Sequence, residues 1–225
     1  MMNRHRFFLT APSLSTLLVL AASPQTGSSI WKLDNTTSIG HHQPQILGHP
    51  QVVRDGTRKA IQFNGVADGL IMPVNPLEKL SSFTVELLFK PDAAGPPAPR
   101  FVHMQDSAGN RCTLELRVVS GGNWYADTFL RNGQTEKGLT LIDSTKQHPC
   151  NRWYWLALVY DGRTMSDYVN GIKELEGDIA FNPMLAGQLS LGVRLNKVNW
   201  FKGRLAEIRF HPMALKPDAL QRVDR

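Results

Sequence analysis

WYWLALVYDGRTMSDYVNG, residues 153–171, decides the fold of this chain. Side chains of an extended strand alternate between two faces. Trp153, Trp155, Ala157 and Val159 therefore share one face, and Tyr154, Leu156, Leu158 and Tyr160 share the other. A strand apolar on both faces belongs inside a sheet that is covered on both sides. Asp161 and Gly162 turn the chain into a second strand, Met165–Val169. Asn170-Gly171 is then the dipeptide best suited to a two-residue hairpin, because both positions accept the positive φ that such a turn requires. A third strand starts at Ile172.

The same grammar extends outward from this double hairpin. Ser82–Lys90 alternates Phe83, Val85, Leu87 and Phe89 against Thr84, Glu86 and Leu88, the pattern of a half-buried strand that Pro91 ends. Arg111–Val119 sets Cys112, Leu114, Leu116 and Val118 against Thr113, Glu115 and Arg117. Asn123–Leu130, Gln188–Val193 and Arg204–His211 read as further strands. Asn35–Pro50 and Asp92–Arg100 read as loops, since Pro and Gly deny them regular pairing. Lys216–Val223, opened by Pro217, is expected to form a short terminal helix. Many short strands at this spacing, without long helical periodicity, predict an all-β fold: a two-sheet antiparallel jelly-roll sandwich with a short C-terminal helix.

Arg4, His5 and Arg6, followed by the Leu-rich stretch Phe7–Ala22 and small residues at Ala21, Ala22 and Ser23, have the layout of a secretory signal peptide over residues 1–23. One domain, 30–225, is expected to follow and to act in a secreted, periplasmic or other extracytoplasmic setting. No other apolar run is long enough to span a membrane. The net charge of +6 is mild, and the basic residues are scattered singly, so a nucleic-acid partner is not expected. The two cysteines, Cys112 and Cys150, form either a disulfide, as an oxidising compartment invites, or two buried free thiols. His41, His42 and His49 match no compact zinc spacing and read as loop histidines.

Five segments in order carry a family likeness: IWKLDNTTSIGHH, KAIQFNGVADGLIMP, FTVELLFKPD, WYWLALVYDGRTMSDYVNG and FKGRLAEIRFHPMAL. Together they resemble secreted bacterial laminin G-like, concanavalin A-like jelly-roll domains over about Trp31 to Leu220. The resemblance implies the same sandwich, and a function drawn from carbohydrate-binding modules, lectins, protein-binding modules and glycosidases, among which fold alone does not choose. No cofactor is expected; relatives resembling this pattern often carry a structural calcium, for which Asp34 and Asp68 are the candidate ligands, the alternative being that they simply make turns. Asn64 and Ala206, standing where the pattern often has Asp, thin the ligand set. Glycosidases of this fold resemble one another in placing carboxylates as E-x-D-x-x-E or E-x-x-E along one strand, and this sequence has no such run.

The expectation is accordingly a non-catalytic binding domain, with no enzymatic activity, whose partner is a carbohydrate or, alternatively, a cell-surface protein. Sugars are gripped by aromatic faces together with planar amides and guanidinium groups. Two stretches offer that mixture: Trp124, Asp127 and Arg131 in GGNWYADTFLRNG, and Arg194, Asn196, Asn199 and Trp200 in GVRLNKVNWFKG. Trp153 and Trp155 read as core residues.

Overall fold

The computed structural model describes residues 27–223, so the signal-peptide expectation for residues 1–23 lies outside the described residues. Among the described residues, sixteen strands form two eight-stranded sheets. Sheet I runs β14 (Ile172–Asp178), β13 (Thr164–Val169), β12 (Tyr154–Tyr160), β6 (Phe83–Pro91), β16 (Lys202–His211), β4 (Arg58–Asn64) and β3 (Gln51–Asp55), with β1 (Ser29–Lys32) also paired to β16. Sheet II runs β10 (Gly138–Ile142), β9 (Asn123–Arg131), β8 (Arg111–Val119), β7 (Arg100–Asp106), β15 (Gly187–Leu191), β5 (Gly69–Met72) and β2 (Gln45–Leu47), with β11 (His148–Pro149) paired to β9.

The deciding stretch behaves as its pattern predicts. β12 is buried along its whole length between β13 and β6. Asn170 and Gly171 take φ of 51° and 71°, and the Asn170 side-chain oxygen accepts the Trp155 N–H, tying the turn back to β12. The core lies between the sheets. It is filled from sheet I by residues such as Val85, Leu87, Leu156 and Leu158 and from sheet II by Met104, Cys112, Leu114, Leu116 and Leu130. Two polar groups join the sheets inside it. Asp167 on β13 is fully buried, accepts the Thr128 hydroxyl of β9 at 3.0 Å and accepts the Leu175 N–H at 3.0 Å across a bulge in the β13–β14 ladder. Burial holds the Asp167 carboxyl protonated up to about 7.

Sheet I is more deeply buried than alternation suggests, because the chain beyond β16 folds back across its outer face. Leu220, with Ala214 and Leu215, packs on Ala157, Val159 and Tyr168. Val223 and Trp153 pack on the neighbouring patch of Ala60, Leu88, Trp155 and Ala206. Thr84 and Glu86, which were expected to face solvent, are buried and serve this segment: Thr84 Oγ1 accepts the Leu215 N–H and Glu86 accepts the Gln221 N–H and bonds His211. These contacts shorten the expected terminal helix, Lys216–Val223, to a 3₁₀ turn. Only Pro217–Ala219 makes a single 3₁₀ turn between extended Lys216 and Leu220, since the main-chain groups of the segment bond sheet side chains in place of one another.

The disulfide expectation is also corrected. Cys112 and Cys150 are separate buried thiols. Cys112 opens β8 opposite Leu130, whereas Cys150 lies beyond β11 with its N–H on the Gly122 carbonyl, at the other end of the β8–β9 hairpin. Leu130 and Gly122 are eight residues apart along the extended chain, roughly 25 Å at the ordinary rise, and a disulfide bridges Cα atoms no more than about 7 Å apart. Burial raises both thiols, Cys150 to about 11, so neither is an activated nucleophile. His148, near Cys150 in sequence, instead bonds Glu174 at 2.7 Å and packs on Trp124.

Candidate functional site

The outer face of sheet II is built from alternate residues of the strands that fill the core from their other side. Strand register sets these side chains in rows. Gln188, Gln105, Arg111 and Arg131 stand opposite one another across β15, β7, β8 and β9. The next row is Ser190, His103, Thr113 and Phe129, and the third is Arg100, Glu115 and Asp127. Arg117 opposite Tyr125 extends the face along the β8–β9 ladder. Among the described residues no apolar cluster like the two on sheet I lies on these rows, although the loop from Val193 to Trp200 reaches over the Ser190 and His103 end of them. Several of the polar groups are nevertheless buried, because they cover one another.

Glu115 and Asp127 show how. Directly opposed on β8 and β9, they form a pair of carboxylates that a search along single strands misses. Each lies beneath its own guanidinium: Arg100 Nε is 2.7 Å from Glu115 Oε1, and Arg117 Nη2 is 2.5 Å from Asp127 Oδ2. Burial is the largest influence on both carboxyl groups and raises them above the usual range, with the guanidinium groups pulling the other way. Thr113 donates a further hydrogen bond to Glu115 at 2.9 Å. The arrangement fixes two guanidinium planes on the surface and leaves both carboxylates engaged, so it supplies positioned donors rather than a free acid and nucleophile.

Beside these rows a cleft of about 590 Å³ opens, walled by His103, Gln105, Gly187, Gln188, Arg194 and Asn196. Gly187 sets its depth. A Cβ there would fall 2.2 Å from the Gln105 carbonyl oxygen, so only glycine lets β15 approach β7 this closely. The loop from Val193 to Trp200 forms the other wall. The Arg194 N–H bonds the Val198 carbonyl, Ser190 Oγ donates to the Val193 carbonyl at 2.6 Å, and the Leu195 N–H bonds His103 Nδ1 at 3.2 Å. Burial, reinforced by Arg111 and Arg194, lowers the His103 imidazole to about 3, so its ring is neutral at any ordinary pH.

The sequence-predicted residues divide on this geometry. Arg194 and Asn196 line the cleft, and Arg131 is one of the outer-face row, within the field of Arg111 as Arg194 is. Asp127 shares the face as the buried partner of Arg117. Trp124 does not present a surface: it is fully enclosed, with ring centroids 5.0 Å from Phe89, 5.1 Å from Tyr154 and 4.9 Å from His148, because its position on β9 falls on the core side of the alternation. The partly exposed aromatics of the strand are its outer-face residues, Tyr125 and Phe129. Asn199, at φ 59°, shapes the loop, donating to the Ala98 carbonyl while its own carbonyl accepts the Arg100 N–H. Trp200 is partly exposed beyond the cleft wall. Reasoning from local patches missed His103, Gln105, Arg111 and Gln188. The signal was the polar half of each alternating strand, read across strands instead of along them.

The residues marked for calcium serve as turn acceptors. Asp68 accepts the His49 N–H with one oxygen and the Asn64 N–H with the other, while Asp34 accepts the Asn35 amide. Asn64 caps the same turn by accepting from Val66 and Ala67. Among the described residues no group of three or more His, Cys, Asp or Glu side chains is placed to hold a metal.

Comparison with known proteins bears on the fold. Domain 4 of AbnA, an extracellular GH43 arabinanase from Geobacillus stearothermophilus solved in complex with arabinotriose, superposes with a TM-score of 0.59 at 21% identity, over 86% of this chain and 94% of that one. The binding domain of botulinum neurotoxin serotype D gives a TM-score of 0.63 at 12% identity, and that of Paraclostridial Mosquitocidal Protein 1 gives 0.62 at 15%, each over 85% of this chain. This chain spans half the length of those two toxin domains. At such identities the likeness is one of fold. No curated protein matches the sequence. Among the described residues no helix is long and apolar enough to cross a membrane. A laminin G-like family model, described as the concanavalin A-like lectin/glucanases superfamily, matches residues 64–221, and with the two-sheet jelly roll in place the chain belongs to that superfamily.

Proposed function

We propose that the chain is a non-catalytic carbohydrate-binding domain, exported from the cytoplasm, that holds a glycan along the outer face of sheet II. One observation carries the reading: a polar sheet face whose side chains are fixed by one another beside a cleft of about 590 Å³ that the Val193–Trp200 loop walls. The amides of Gln105, Gln188 and Asn196 and the guanidinium of Arg194 are planar groups that bridge adjacent hydroxyls. Tyr125 and Phe129, half-exposed on the same face, offer apolar surface to the C–H side of a pyranose or furanose ring. The arabinanase domain of the same fold, solved with arabinotriose, supports a sugar as the class of ligand. Because Glu115 and Asp127 each hold a guanidinium, no hydrolysis is expected.

Affinity electrophoresis of residues 27–225 through gels containing a panel of soluble polysaccharides tests the reading. Retardation by at least one polysaccharide is expected, abolished by the double substitution Gln105→Ala, Arg194→Ala and unaccompanied by release of reducing ends. Migration indifferent to every polysaccharide overturns it, and so does reducing-end release that Glu115→Gln or Asp127→Asn eliminates.

A further inference from the structure

Positive charge around the cleft exceeds the carboxylate charge that balances it. Arg100 is paired with Glu115 and Arg131 with Glu136, but among the described residues Arg111 and Arg194 have no ion-pair partner. Asp106, also on the cleft wall, is committed elsewhere: its oxygens accept the Asn110 N–H, the Asn110 amide and the Leu185 N–H, all at 2.7–2.8 Å. The guanidinium groups of Arg194 and Arg131 lie close enough to oppose the charge on Arg111, which burial opposes first. Like charges assembled at a partly buried site are unfavourable in the free protein.

Two buried polar atoms also lack well-formed hydrogen bonds here: His103 Nε2 on the cleft wall, and Arg111 Nε on β8 opposite the wall residue Gln105. His103 is 1% exposed and lines the cleft. Its Nδ1 accepts the Leu195 N–H, so on a neutral ring the proton sits on Nε2. That makes Nε2–H a buried donor whose protein neighbour is the Gln105 side chain and which makes no well-formed hydrogen bond there. Unpaired guanidinium charge and a neutral donor without a well-formed hydrogen bond are both satisfied by the same kind of atom, an anionic oxygen.

We infer that the cleft is an anion subsite for an acidic sugar, taking a carboxylate or sulfate-ester group, with Arg194 and Arg111 as countercharge and His103 Nε2–H as a neutral donor. This deepens the carbohydrate reading and rests on it. The hydroxyls of the same residue then fall to Gln105, Gln188 and Asn196, whose amides are part of the same wall or row.

Isothermal titration with trigalacturonate, with its neutral methyl ester and with a sulfated disaccharide tests the assignment, using the unsubstituted protein, Arg194→Gln, and Arg54→Gln as a charge-matched control on the exposed edge strand β3 of the opposite sheet. One of the acidic probes is expected to bind at least about tenfold more tightly than the ester, and which one does so separates carboxylate from sulfate. Arg194→Gln removes that preference and Arg54→Gln keeps it. Ester binding equal to both acidic probes, or a preference that survives Arg194→Gln, overturns the anion subsite while the carbohydrate reading stands. In parallel, inorganic sulfate is titrated against the ¹H–¹⁵N resonances of the His103 ring. A sulfate-induced shift that Arg194→Gln removes, with no saccharide bound, retains the anion subsite and overturns the carbohydrate reading. Indifference to sulfate and to all three saccharides overturns both.

Discussion

The two sheets of the sandwich treat their outer faces in opposite ways. Sheet I has its outer face closed by the chain itself, with Leu215, Leu220 and Val223 laid over Ala157, Val159, Tyr168, Leu88 and Trp155, and with the buried polar groups Thr84, Glu86 and His211 bonded into that cover. Sheet II has no such cover, and its buried polar groups are sealed by the aliphatic stems and guanidinium planes of their neighbours. Burial on sheet I removes apolar area from water and stabilises the fold. Burial on sheet II pairs charges, which contributes little net stability because desolvation offsets attraction. What the second face gains is position: donors held ready at the surface.

The largest effect is expected where the cover of sheet I is broken. Leu220→Asp puts a carboxylate on an apolar patch and should cost roughly 4 kcal/mol or more in urea unfolding. A loss under about 1 kcal/mol would mean that the segment is not a true cover and would dissolve the contrast. Next comes the join between the sheets. The native Asp167 carboxyl keeps its proton up to about 7, whereas the unfolded chain releases it near 4. Its contribution to stability is therefore present below that lower value and lost as pH rises toward 7. Asp167→Asn, which can still accept from Leu175 and donate to Thr128, should match the parent at pH 4 and exceed it by about 2–4 kcal/mol at pH 8. Equal stability of the two proteins at both pH values would show that the group is not protonated in the fold.

On the open face smaller changes sharpen the comparison. Arg100→Met alone leaves Glu115 buried without its partner and should cost about 2 kcal/mol, while Arg100→Met together with Glu115→Leu should return to within about 1 kcal/mol of the parent. A double variant as unstable as the single one would mean that the ion pair holds the sheet together, as the cover does on the other side. The smallest effect concerns the thiols. A reducing agent should leave the melting temperature unchanged, and mass spectrometry of the denatured, alkylated protein should find both Cys112 and Cys150 modified without prior reduction.

Strands with long unbroken alternation, such as β6, β8 and β12, were legible in the sequence: β8 runs over the expected residues, and the Asn170-Gly171 turn lies where its φ requirements put it. Several others were not, among them the interior strands β4, β5 and β7. β2 falls inside a stretch read as loop, since three residues, two of them exposed, carry too little pattern to announce a strand. The terminal helix is only a 3₁₀ turn because the apolar residues of that segment answer to a sheet surface and not to a helical period. Half of the site followed from Arg194, Asn196 and Arg131. The rest depends on register: nothing local to His103, Gln105 or Arg111 says that they meet, and the exclusion of Trp124 depends on which side of β9 faces the core.

Strand β8 carries two messages written in alternate letters. Cys112, Leu114 and Leu116 instruct the chain how to fold, while Arg111, Thr113, Glu115 and Arg117 between them address the outside. Since part of the second set can be rewritten with the first left untouched, the face is open to drift and to redesign. A library over the alternate residues of β7, β8, β9 and β15 that keeps the Arg100–Glu115 and Arg117–Asp127 pairs and the buried His103 and Ser190 would change the outer surface while holding the scaffold constant.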